Sequence, residues 1–81
     1  MTSRPGREIP KEYRIVAQHQ VDTFGWRYDA SGKGHPRLYP ADITKSPITI
    51  AGTPGDQRGL RNFIAQVRRA GGEWPPGRRH Q

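Results

Sequence analysis

Residues 53–72 read TPGDQRGLRNFIAQVRRAGG, and this stretch decides the fold class. Thr53-Pro54-Gly55-Asp56 has the form of a capping box with proline at the first helical position: the Thr53 hydroxyl can accept from the Asp56 amide, and the Asp56 carboxylate favours the positive helix end. Leu60, Phe63, Ile64 and Val67 then recur at helical spacing along one face, and Gly71-Gly72 ends the pattern. The spacing predicts a helix over 54–70. At 3.6 residues per turn, Arg58, Arg61, Arg68 and Arg69 share an arc of about 100° beside the apolar stripe. Such an arc is either the solvated face that every amphipathic helix needs or a cationic flank for a polyanion.

Upstream of that helix, Ile48-Thr49-Ile50 is a short β-branched strand entered from Pro47. His35 to Tyr39 reads HPRLY, extended, and Pro36 and Pro40 each remove a ladder donor, which argues for an edge or irregular strand. Ala30 to Gly34 reads ASGKG, a hairpin loop after Trp26-Arg27-Tyr28-Asp29, where aromatic and charged residues alternate with period two. Further upstream, Ile9, Tyr13, Val16, Ala17, Val21 and Phe24 keep helical spacing, with Pro10 suited to a first turn and Gly25 to a left-handed stop, so a helix is expected over 9–23. Ile15 falls off that stripe, beside His19, as an exposed pair. The order helix, three strands, helix gives an α+β class: a small α-β-β-β-α domain over 8–71, with a three-stranded antiparallel sheet covered on one face by both helices. Residues 1–7 and 72–81 are expected as flexible tails, the second a stiff Pro-rich exit through Trp74-Pro75-Pro76.

Composition narrows the function. With 81 residues, a hydrophobic fraction of 31%, 10 Gly and 8 Pro, the core is thin. The absence of cysteine excludes a disulfide framework, a thiolate zinc site and a cysteine nucleophile, and fits a cytoplasmic setting. No apolar run exceeds three residues, so neither a membrane span nor a signal peptide is expected. His19, His35 and His80 lack zinc spacing, so no metal site is expected. Gly32-Lys33-Gly34 lacks the spacing and hydroxyl of a phosphate-binding P-loop, and no nucleophile elbow is present. The net charge is +7, of which the tails hold +3 and residues 8–71 hold +4. Such an excess in so small a chain points to a nucleic acid, because cations displace condensed counterions from a phosphate backbone; simple surface solubilisation is the other reading.

Four pieces now stand together: Gly25-Trp26 closing the first helix, Gly34-His35 opening the second strand, Ile48-Thr49-Ile50 as the third, and GLRNFI over 59–64 leading to QVRRAG over 66–71. On these residues the chain resembles the HicA family, the small toxins of bacterial toxin–antitoxin pairs. The resemblance covers about residues 8–71. It implies a fold like a double-stranded-RNA-binding domain, cleavage of mRNA, a loop histidine as catalytic residue, which falls at His35, and a cognate antitoxin expected to be acidic where it contacts this basic chain. Here the histidine follows Lys33-Gly34 and precedes Pro36. No cofactor is implied.

The chemistry of such a site is straightforward. An imidazole titrates near neutral pH and can take the proton of a ribose 2′-OH. Lys33 and Arg37, two residues either side of His35, supply cations for the charge that develops on phosphorus. Lys33, Arg37, Arg58, Arg61, Arg68 and Arg69 are the expected nucleic-acid contacts. The competing readings are an RNA- or DNA-binding domain of the same fold without cleavage, since A-form RNA is read largely by shape and phosphates, and an adaptor that uses Ile15 and Trp74.

Overall fold

The computed structural model describes residues 5–6, 8–30, 34–51 and 55–76. Its elements run α1 (Lys11–Phe24), β1 (Arg27–Asp29), β2 (Arg37–Tyr39), β3 (Ile48–Thr49) and α2 (Gln57–Arg69), the expected α-β-β-β-α order. The three strands form one antiparallel sheet in the order β1-β2-β3.

Both helices start later than the spacing predicts. Pro10, at φ −58° and ψ 152°, is extended and precedes α1 rather than lying in its first turn. Asp56 takes the capping role at α2: its Oδ1 accepts the Gly59 amide at 2.9 Å, so the helix begins at Gln57 and not at 54. The Thr53 cap lies outside the described residues. The stop at Gly25 is as expected, with φ 73° and its amide on the Val21 carbonyl at 3.1 Å.

β2 is the central strand, which corrects the edge assignment. Pro36 and Pro40 bracket its three residues, so neither missing donor falls within the ladder. The Pro36 carbonyl still contributes, accepting the Ile50 amide at 2.9 Å. The register pairs Asp29 with Arg37 and Arg37 with Thr49, then Tyr28 with Leu38 and Leu38 with Ile48.

That register sorts the side chains. Tyr28, Leu38 and Ile48 are buried under the helices, while Arg27, Asp29, Arg37 and Thr49 face outward. From α1 the core takes Tyr13, Val16 and Ala17, and from α2 Phe63 and Val67, joined by Ile9, Trp26 and Ile50. The Tyr13 and Phe63 rings stack at 5.3 Å, and a Cβ on Gly59 would come within 2.6 Å of the Tyr13 hydroxyl. Only a residue without a side chain lets the helices approach so closely there. Tyr13 thus meets the start of α2, whereas Gln20 meets Gly72 just past its end, so the two helices run in the same direction. The Tyr13 hydroxyl itself is buried without a partner among the described residues.

Residues 72–74 do not leave the domain as an exiting tail. Buried Gln20 holds the Glu73 backbone through two hydrogen bonds, His19 Nε2 lies 2.8 Å from Glu73 Oε1, and Trp74 packs edge-on to the His19 ring at 5.8 Å. His19, read as a plain surface residue, is therefore a tertiary contact. At the other end Tyr28 donates its hydroxyl to Glu8 Oε2 at 2.6 Å, which holds the Glu8 carboxyl below its ordinary range, while burial together with that bond pushes the Tyr28 phenol up.

Candidate nucleic-acid interface

The β1–β2 hairpin and the β3–α2 connection lie at one end of the sheet, because β1 and β3 both end where β2 begins. Gly34, at φ 96°, occupies the left-handed region as the chain returns into β2, and His35 follows it, exposed. No described residue hydrogen-bonds to His35. Lys33, the loop cation expected beside it, lies outside the described residues.

Arg37 points out from the sheet face opposite the helices. Asp29 stands directly across from it on β1, and cross-strand partners have Cβ atoms about 5 Å apart. On the same face the Arg27 guanidinium lies 5.3 Å over the Tyr39 ring.

All four α2 arginines are exposed, but they do not form one cluster. With a rise of 1.5 Å per residue, Arg58 and Arg69 stand about 16 Å apart along the axis. Arg58 is at the His35 end, which the β3–α2 connection shares. Arg61 lines a shallow groove with Glu12, Asp56 and Leu60. Arg68 and Arg69 lie in the last turn, at the far end of the sheet, where they complement the negative end of the helix dipole. The start of α2 is not an open anion site, since the Asp56 carboxylate already occupies the Gly59 amide.

His35, Arg37 and Arg58 thus lie toward the same end of the domain, Arg37 on the open sheet face and Arg58 on the helix side, while Arg68 and Arg69 lie at the other end. The structure also adds a cation that the sequence reading left out. Lys45, at the end of the β2–β3 loop, lines a groove with Arg69. No motif marks Lys45: it is 24 positions from Arg69 in a polar, turn-rich stretch, and only the strand register brings the two together.

Among the described residues no group of three His, Asp or Glu side chains is placed to hold a metal ion, and no helix is long and apolar enough to cross a membrane. No protein-family model matches the chain, nor does any curated protein or solved structure.

Proposed function

We propose that the protein is a cytoplasmic RNA-binding ribonuclease of the HicA toxin type, which cleaves mRNA without a metal and is held in check by an acidic antitoxin. The observation that carries this reading is the position of His35: exposed, two residues ahead of Arg37 at the start of the central strand, at the sheet end where α2 begins with Arg58. The net charge of +7 supports it from the side of affinity.

In this reading the His35 imidazole takes the proton of a ribose 2′-OH. The freed oxygen attacks the adjacent phosphorus, the bond to the 5′ oxygen breaks with that oxygen protonated from water, and a 2′,3′-cyclic phosphate remains. Arg37, with Lys33 from the loop, offsets the charge on the equatorial oxygens. Induced expression of the parent and of His35→Ala in a bacterial host tests this. Growth arrest and transcript loss with the parent alone are expected; two harmless proteins would remove the toxin reading.

A second reading, RNA binding without cleavage, draws on two observations. Asp29 stands in register with Arg37, and His35 has no orienting hydrogen bond among the described residues. Under it, the parent cuts nothing and His35→Ala loses RNA affinity.

A further inference from the structure

The cleft between the β2–β3 loop and the last turn of α2 lies apart from His35 and has a volume of about 430 Å³. Lys45, Ser46 and Pro47 line it from the loop, Gln66 and Arg69 from the helix, with Ile48 buried beneath. Lys45 and Arg69 are both exposed, and neither forms an ion pair with a described carboxylate.

The carboxylate that bears on Lys45 is Asp42, and its Oδ1 is already engaged. It accepts the Thr44 amide at 2.9 Å and the Thr44 hydroxyl at 2.7 Å, and these bonds hold the Asp42 carboxyl below its ordinary range, with a smaller contribution from Lys45. The Lys45 amide donates to the Asp42 carbonyl at 3.0 Å, so the same turn that occupies Asp42 fixes where Lys45 emerges.

The lining therefore combines an ammonium, a planar guanidinium fork, a hydroxyl and a carboxamide over a shallow apolar floor. Cations of those two kinds with neutral donors between them match the oxygens of a phosphoryl group. The cleft is too open to enclose a small molecule and suits a group carried on a chain that passes over it. Ile48 is in register with Leu38, and at about 3.3 Å per residue the cleft begins about 10 Å along the sheet from His35.

We propose that this cleft is an anion site for a phosphoryl group, supplied by the backbone of bound RNA. The inference rests on the RNA-binding reading above, and the experiment separates the two. Backbone amide and side-chain resonances of Lys45, Ser46, Gln66 and Arg69 are followed by NMR in the unmodified protein during titration with a ten-nucleotide RNA and, separately, with inorganic phosphate against chloride of equal ionic strength. RNA affinity is measured against salt for the parent, Lys45→Gln and Arg69→Gln.

The expected result is saturable shifts at the cleft with RNA, together with a several-fold affinity loss in each variant and a log–log salt slope smaller by about 0.7 per substitution, as for one cation on a single strand. RNA binding with a silent cleft and unchanged slopes overturns the proposal. If RNA does not bind but phosphate shifts the cleft residues where chloride does not, the anion site stands, and both its RNA source and the RNA-binding reading fall. If neither ligand shifts them, the cleft is no anion site.

Discussion

The carboxamide of Gln20 closes both polar groups of the Glu73 backbone: Nε2 donates to the Glu73 carbonyl at 2.7 Å and Oε1 accepts the Glu73 amide at 2.8 Å. Nε2 also donates to the Val16 carbonyl at 3.0 Å, so one buried side chain joins α1 to the segment after α2. Replacing it by an apolar residue leaves those groups without partners, at about 1–3 kcal/mol for each group that stays buried. Gln20→Leu is expected to lower stability by about 2 kcal/mol in urea unfolding and to shift Trp74 emission to the red as 72–76 detach. Unchanged stability with unshifted emission would show that the clamp contributes nothing.

The Tyr13 hydroxyl presents the opposite case, a buried polar atom with no described partner. Its phenol is pushed up by burial first and by Asp56 and Glu12 after that. Removing an unsatisfied group removes its desolvation cost, so Tyr13→Phe is expected to be neutral or to stabilise by up to about 1 kcal/mol, while the stack on Phe63 persists. A loss above about 1 kcal/mol in thermal or urea unfolding contradicts this.

The Glu8–Tyr28 bond gives stability a pH dependence of definite sign. The Glu8 carboxyl is depressed in the folded state, chiefly by the Tyr28 hydroxyl, so its contribution is present above the ordinary carboxylate range and is lost as pH falls through the folded value. The Tyr28 phenol is raised, chiefly by burial, so its contribution is intact below about pH 10 and is lost as pH rises further. Tyr28→Phe removes the bond and, Glu8 being exposed, is expected to cost about 1 kcal/mol at pH 7 and less at pH 3. An equal difference at the two pH values would mean that the bond is not charge-assisted.

Arg58 and Arg61 stand on the half of α2 nearer His35. If they contact phosphate, Arg58→Gln with Arg61→Gln weakens RNA binding at every sequence tested and reduces the log–log salt slope by about 1.4–1.8, depending on strandedness. The variant is expected to fold like the parent, since both side chains are exposed. An unchanged slope would leave α2's starting turns outside the interface.

What the sequence revealed and what it concealed follow from the range of the interactions. Periodicity placed Phe63 and Val67 on α2 and Tyr28 on β1, all of which are buried. The start of α2 was shifted because Thr53 and Asp56 are both capping residues three apart, and spacing alone does not rank them. Pro36 and Pro40 suggested an edge, since a count of prolines does not say whether they fall within a ladder or just beyond it. Within the candidate site His35 and Arg37 are local and were legible. The approach of Lys45 to Arg69 and the hold of Gln20 on Glu73 depend on contacts across 24 and 53 positions, which no local pattern encodes; the separation of Arg58 from Arg69 follows from the helix rise alone.

The central claim concerns His35, and the most direct measurement is cleavage of a synthetic RNA by purified protein in the presence of a chelator. The account predicts that the parent cuts and leaves a 2′,3′-cyclic phosphate, and that His35→Ala slows cleavage by about 10²- to 10⁴-fold with RNA affinity within about twofold of the parent. A parent that binds but never cuts, or a His35→Ala protein that cuts as fast as the parent, would contradict it.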